Sequence, residues 1–195
     1  MSKMIVGVDI DNTVVDSNYY WTDYLLKHHR IYPYLSWEMH DKCKALGYRH
    51  YDVSKVFAEF ISKDEALDFW RYEHLYNDMK PMDGVQNILY KMHELGHDIV
   101  FISALKGNHH KSKVQFVKKF FPFYAAFLGT KEKEYVKVDM MIDDNYEILN
   151  RFTNPNVQLI HFDRGYIDHK DKKFLRTDII RMDRWTAPKE RLVFR

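Results

Sequence analysis

Met4-Ile5-Val6-Gly7-Val8-Asp9-Ile10-Asp11-Asn12-Thr13 is the stretch from which the fold follows. An apolar run rich in β-branched residues stops in two carboxylates one residue apart, followed by Asn and Thr. Such a run reads as a buried parallel strand, because strands covered on both faces carry near-continuous apolar sequence. Side chains alternate along a strand, so a regular strand continued to residue 11 would set Asp9 and Asp11 on one face at its C-terminal end. In open α/β sheets that edge is where ligands bind. Two carboxylates this close repel, and they are stable mainly with a cation or a proton between them. The competing reading is a strand that ends in a polar turn, with Asp11 or Thr13 capping a helix.

The rest of the chain repeats the pattern. Asp98-Ile99-Val100-Phe101-Ile102-Ser103 is a second buried strand, ending in a hydroxyl. Residues 138–142 form a third that ends at Asp143-Asp144, and residues 157–162 a fourth. Between them, Val85, Ile88, Leu89, Met92 and Leu95 mark an amphipathic helix that follows the turn at 80–84 and closes at Gly96. A basic helix over 109–120, a short apolar segment at 123–128 and a helix at 145–152 fill the remaining connections. Strands alternating with helices predict an α/β fold with a doubly wound, mostly parallel sheet.

One block departs from this alternation. Residues 17–30 predict a helix with Tyr20, Tyr24 and Leu25 along one face, and 34–78 stays helical in pattern. Ser36, Ser54 and Ser62 are candidate N-caps there, and Gly47 a break. Residues 17–80 therefore read as a small helical cap inserted after strand one, with 1–16 and 81–195 as the core. Residues 163–195 are polar and without period, and their expected place is peripheral.

The 195-residue chain suits one domain with an insertion. A formal net charge of +2, with acids and bases interspersed, gives no global field that would demand an anionic membrane or stable nucleic-acid binding. A single cysteine, Cys43, excludes an internal disulfide and a thiolate zinc cluster. With neither a leader-type segment nor an apolar run of membrane-spanning length, the expected location is the reducing cytoplasm. The oligomeric state is left open.

Three strands thus end in functional groups, and in a parallel sheet those ends share an edge. Carboxylates around an oxygen-lined site suit a hard cation, and Mg²⁺ typically takes one or two carboxylates together with substrate phosphate and waters. A carboxylate can attack phosphorus, and a second one can protonate the leaving oxygen and then activate water. Ser103 is a neutral donor for a phosphoryl oxygen, and Thr130-Lys131-Glu132-Lys133 supplies cations. Taken singly, each has a blander role: Lys133 as a surface lysine, Ser103 as a helix N-cap, Asp143-Asp144 as favourable charge at a helix start.

Asp9-x-Asp11-x-Thr13, the strand-end Ser103, a lysine within 131–133 and Asp143-Asp144 resemble, in order and spacing, the four motifs of the haloacid dehalogenase-like phosphatases. The resemblance covers about residues 4–162, with the insertion where that superfamily places its type 1 cap. Phe69-Trp70 through Pro81-Met82-Asp83-Gly84, the strand at 100–102 and the block 130–144 are similar to the 5′(3′)-deoxyribonucleotidases. The resemblance implies a Mg²⁺-dependent phosphomonoesterase acting on deoxynucleoside monophosphates through an aspartyl-phosphate. Asp9 would be nucleophile and metal ligand, and Asp11 the acid/base that lends its backbone carbonyl to the metal. Ser103 and Lys133 would hold the phosphoryl group, Asp144 would ligate the metal and Asp143 would support it. Thr13, Lys106 and Lys113 are implied phosphate-side residues. Phe69, Trp70, Tyr76 and Tyr20 are the aromatic candidates for the base, against a competing role in the core.

The chain departs from the family where Ser17 stands in place of a base-stacking aromatic, Asn12 in place of a frequent Gly, and Ala104-Leu105 in place of polar residues. Those positions bear on base recognition more than on hydrolysis. The alternatives are a phosphatase of nucleic-acid ends or of a small sugar or cofactor phosphate, and a non-catalytic domain that retains the fold.

Overall fold

The structure is a computed structural model that describes residues 2–28, 37–105 and 107–186. Six strands, β1 (Ile5–Val8), β2 (Asp98–Ser103), β3 (Ala126–Gly129), β4 (Met140–Asp143), β5 (Gln158–Phe162) and β6 (Ile180–Met182), form one sheet in the order β3-β2-β1-β4-β5-β6. All five pairings are parallel, so every strand delivers its C-terminal end to one edge. The doubly wound α/β architecture expected from the alternation is present.

Alternation along the strands divides the core. Val6, Val8, Ile99, Phe101, Met140 and Ile142 face one layer, where α4 (Val85–Glu94) and α5 (His110–Phe120) bury Leu89, Met92, Phe116 and Val117. Val100, Ile102, Met141 and Leu159 face the other, under Leu149 of α6 (Tyr146–Arg151). Gly7 sits in this second face because a Cβ there would lie 2.9 Å from Met141 Sδ and 3.0 Å from Ile102 Cδ1. Gly84 takes φ 84° to turn the chain into α4.

Between β1 and α4 lies a helical segment with no strand among its described residues. It contains α1 (Ser17–His28), α2 (Trp37–Gly47), the one-turn α3 (Lys63–Ala66) and 3₁₀ turns at Val53–Lys55 and Leu67–Arg71. Ser62 caps α3 with a full capping box to Glu65. The chain enters and leaves this segment side by side: Val15 bridges Pro81, and Met82 N donates to Val14 O.

The structure corrects three readings and gives an element to the apolar segment at 123–128. Strand one stops at Val8, since residues 10–15 fold into a turn with Val14 N and Val15 N both donating to Ile10 O. Ser54 does not start its turn; the Asp52 carboxylate caps it, accepting from Ser54 N. The apolar segment at 123–128 yields an edge strand, β3. Residues 163–186 are not peripheral, because they supply β6 and bury Tyr166 and Trp185, the indole of the latter donating to Thr13 O. The proposed cap at Ser36 lies outside the described residues.

Candidate active site

Parallel pairing of β1 with β4 brings Asp9 beside Asp143 and Asp144, Asp9 N donating to Ile142 O at 2.9 Å. All three are buried, and one carboxylate oxygen from each lies within 4.8 Å of the others. Lys133, on the 3₁₀ turn Lys133–Tyr135, places its Nζ 2.5 Å from Asp9 Oδ1 and 2.7 Å from Asp143 Oδ2. Asp143 accepts a further hydrogen bond from Asn145 N. Asp144 is fixed at three points: its N–H donates to Thr13 Oγ1, its carbonyl contacts His161 Nε2, and its Oδ2 accepts from Tyr166 OH.

The turn after β1 aims Asp11. Asn12 holds φ 58°, a conformation Asn tolerates better than most residues. Its side chain exchanges hydrogen bonds with Asn18 at 3.0 and 3.1 Å, tying the turn to α1. Asp11 Oδ1 accepts from Ser17 Oγ (2.6 Å) and Tyr76 OH (2.5 Å), and Oδ2 accepts from Lys113 Nζ (2.6 Å). Lys113, wholly buried, also donates to Ser103 Oγ (2.9 Å) and Ala104 O (3.2 Å).

Electrostatics separate the two carboxylates of the motif. Burial lifts the Asp9 carboxyl to about 7; the nearby Asp143 and Asp11 charges add to this, and Lys133 only partly offsets it. Asp144 is likewise pushed well up by burial and by its anionic neighbours. Burial would raise Asp11 too, but the Lys113 charge and the bonds from Lys113, Ser17 and Tyr76 outweigh it and hold that carboxyl low. At Lys133 burial opposes the charge, and the Asp143 and Asp9 carboxylates overcome it and keep the amine protonated.

One lysine cannot balance Asp9, Asp143 and Asp144 together once all three are ionised, so the metal-free cluster retains protons that a cation would displace. An all-oxygen set of this kind fits a hard divalent cation. The Asp11 carboxylate faces Lys113 instead and stands outside the cluster.

A cleft of about 860 Å³ opens over these groups, lined by Asp9, Asp11, Ser103, Lys133 and Asp144 below and by Trp21, Tyr51 and Trp70 from the helical segment. Of the aromatic candidates only Trp70 reaches it. Phe69 is buried in the segment's interior, 6.1 Å from the Trp21 ring and stacked on it. Tyr20 turns its hydroxyl to Lys80 N, and Tyr76 spends its own on Asp11. Thr13 is fully buried with its hydroxyl on Asp144 N, a placement that supports the site from behind. Lys106 lies outside the described residues.

Sequence reasoning missed Tyr166, His161, Tyr51 and Asp168. Asp168 accepts from Tyr51 N (2.9 Å) and Asp52 N (3.4 Å), and Asn145 donates to Tyr51 OH at 2.7 Å, which joins the helical segment to the sheet edge. Tyr51, Tyr166 and Asp168 sit in turns and loops of no periodicity. His161 alone carried a signal, as the strand residue in register with Asp143.

A parallel sheet with a strand-end carboxylate pair, a hydroxyl, a lysine and a second acidic pair along one edge has the arrangement expected from the resemblance to the haloacid dehalogenase-like phosphatases. Solved structures share the fold. A HAD-superfamily hydrolase from Ehrlichia chaffeensis superposes with TM-score 0.54 at 13% identity, covering 95% of this chain and 94% of its own. A "predicted phosphatase" from Clostridium acetobutylicum gives 0.57 at 15%, covering 93% and 95%. A HAD hydrolase of family IA, variant 3, from Entamoeba histolytica gives 0.51 at 13%, covering 96% of each. No match was found among curated proteins.

The family profile is more specific. Residues 3–193 match the family described as 5′ nucleotidase, deoxy (pyrimidine), cytosolic type C protein, and the chain belongs to that family. It is a phosphoric monoester hydrolase. Among the described residues no helix is long and apolar enough to cross a membrane.

Proposed function

We propose that this chain is a Mg²⁺-dependent 5′(3′)-deoxyribonucleotidase of the reducing cytoplasm. Residues 1–16 and 81–195 would act as its core and 17–80 as a cap over the substrate. The observation that carries the reading is Lys133 shared between Asp9 and Asp143 on the floor of a cleft walled by Trp21 and Trp70. Membership of a nucleotidase family supports a nucleotide as substrate.

Asp9 and Asp144 would hold Mg²⁺ with the Asp11 backbone carbonyl, and Asp143 would support it by fixing Lys133. Bound there, the cation supplies positive charge for the phosphoryl oxygens. Asp9 attacks phosphorus, forming an aspartyl-phosphate as the ester oxygen leaves. Ser103 and Lys133 donate to the transferring group. Asp11 gives its proton to the leaving oxygen and then takes one from the water that hydrolyses the intermediate. A phosphoryl group arriving beside Ser103 competes for Lys113. Charge that Lys113 turns toward phosphate is withdrawn from Asp11, whose carboxyl then rises toward the range where it holds a proton.

The test is turnover by the full chain, with Mg²⁺ and with chelator, on deoxyribonucleoside and ribonucleoside monophosphates, 3′-phosphorylated oligonucleotide and sugar phosphates. The reading requires Mg²⁺-dependent release with deoxynucleotides preferred. A preference for sugar phosphate or oligonucleotide ends would retain the chemistry and overturn the substrate.

A further inference from the structure

Between α2 and the 3₁₀ turn at Val53–Lys55, residues 49–52 of the helical segment are tied down at several points. Ile167 N donates to Arg49 O at 2.8 Å, and the Asp168 carboxylate accepts from Tyr51 N and Asp52 N. Asn18 Nδ2 donates to His50 O at 2.6 Å, and Asn18 is itself held by Asn12 of the turn that follows β1. These bonds fix the backbone of Tyr51. Its ring is fixed too, 4.7 Å from the His169 ring and edge to face at 5.6 Å with Tyr166, whose hydroxyl is on Asp144.

Asn145 decides which way the Tyr51 hydroxyl donates. Asn145 Oδ1 caps α6, accepting from Glu147 N and Ile148 N, so the amide presents Nδ2 to Tyr51. An amide NH₂ only donates. The Tyr51 oxygen therefore accepts, at 2.7 Å, and its own proton points away from Asn145. Among the described residues no group accepts that proton. The nearby carboxylates are bonded elsewhere, Asp143 to Lys133 and Asn145 N, and Asp144 Oδ2 to Tyr166. Burial pushes the Tyr51 hydroxyl far up, and the charges of Asp144, Asp143 and Asp9 push it further, so it stays a neutral donor. Tyr51 and Asn145 both line the main cleft, and the cleft is the side from which an acceptor can come.

We infer, on the phosphatase reading of the site, that Tyr51 is a substrate-binding residue whose hydroxyl donates to an oxygen of the phosphoryl group that Asp9 attacks. A phosphoryl group within reach of Asp9 brings anionic oxygens to the mouth of an acidic cluster, and each oxygen needs a donor or a cation. Ser103, with Lys113 beside it, supplies donors at the end of β2. Tyr51 supplies one at the end of β4, where Asn145 holds its oxygen. Because Tyr51 belongs to the helical segment, the seat of that segment on the sheet edge becomes part of phosphate binding.

The experiment is calorimetric titration of the Mg²⁺-loaded full chain with inorganic phosphate, wild type against Tyr51→Phe, together with kcat/KM on a deoxynucleoside monophosphate and on p-nitrophenyl phosphate. Phenylalanine keeps the ring contacts and removes the oxygen. Loss of a hydrogen bond to an anion should weaken phosphate binding about tenfold or more and lower kcat/KM on both esters by a similar factor. The Mg²⁺ concentration at half-maximal activity should stay within about twofold of wild type, as expected if the hydroxyl meets phosphate and not the metal. Phosphate affinity within about twofold of wild type overturns the inference, since a bond to an anion is worth more than that. A loss confined to the nucleotide overturns it as well, because the hydroxyl would then face sugar or base. So does a loss that excess Mg²⁺ restores, which would make Tyr51 a support for the metal through Asn145. If Tyr51→Phe does not fold, 3-fluorotyrosine in place of Tyr51 gives a second readout. Its fluorine NMR resonance should move when phosphate joins the Mg²⁺-loaded protein, and an unmoved resonance overturns the inference. Failure of the phosphatase reading looks different: the wild type itself would bind no phosphate and release none from either ester, and the inference would fall with it.

Discussion

Lys113 Nζ lies 2.6 Å from Asp11 Oδ2, and the same ammonium reaches Ser103, so one buried cation joins the acid/base candidate to the phosphoryl-binding candidate. Replacing Lys113 with Met keeps the stem and removes the charge. Breaking a buried pair costs about 3–5 kcal/mol. Asp11 keeps 22% of its side-chain surface and two hydroxyl donors, so the loss belongs at the low end of that range. Denaturant unfolding measures it. The Asp11 carboxyl, followed by its carbon NMR shift, should titrate at higher pH in Lys113→Met, and kcat/KM should fall about 10²-fold or more.

The raised Asp9 carboxyl couples stability, pH and metal. Its folded value of about 7 exceeds the ordinary carboxylate range, so the metal-free folded state holds a proton the unfolded chain has released. This group's contribution is therefore present below about pH 4 and is lost as pH rises toward 7. A cation displaces that proton, which makes its binding stronger at high pH. The increase in Tm produced by Mg²⁺ should be small near about pH 5.5 and large near about pH 8, where the carboxylates bind without first losing protons. Thermal scans with and without Mg²⁺ test the sign. A larger shift on the acid side would contradict it.

Thr13→Val should act on stability before activity. Valine fills the same volume but leaves the buried Asp144 N–H without its acceptor, at a cost of about 1–3 kcal/mol. The check is chemical denaturation of both proteins, where an unchanged midpoint would mean that the N–H finds another partner.

Tyr166→Phe removes only the hydroxyl on Asp144 Oδ2. Loss of a partner that orients a metal ligand weakens metal affinity by about 10–100-fold. Activity titrated against Mg²⁺ should show a higher half-saturating concentration with kcat at saturation nearly restored. A drop in kcat that Mg²⁺ does not rescue would give Tyr166 a different part.

The alternation of strands with helices and the gathering of Asp9, Ser103 and Asp143 along one cleft were legible because each of these residues closes an apolar run, whereas Lys133 lies in a polar stretch and was singled out only by its likeness to the family motif. A parallel sheet turns that linear pattern into a spatial cluster. The aromatic candidates were not legible in the same way. Phe69 sits in a 3₁₀ turn, Tyr20 in α1 and Tyr76 in an irregular turn, and there spacing does not tell an inward face from a cleft-lining one. Tyr76 is the clearest case, since its ring is core and its hydroxyl is site. Tyr166 and Asp168 come from a segment with no period at all. Their roles depend on β6 folding the chain back against β5, a pairing of three residues too short to show in sequence.

The most direct measurement is the location of the phosphoryl group during turnover. Acid quench of the enzyme cycling on a labelled deoxynucleoside monophosphate with Mg²⁺, followed by peptide mass spectrometry, should find the label on the side chain of Asp9. The Asp9→Asn protein should fold, carry no label and lose turnover by about 10³-fold or more. Label on another residue, or an Asp9→Asn protein that still releases phosphate at the wild-type rate, would contradict the account.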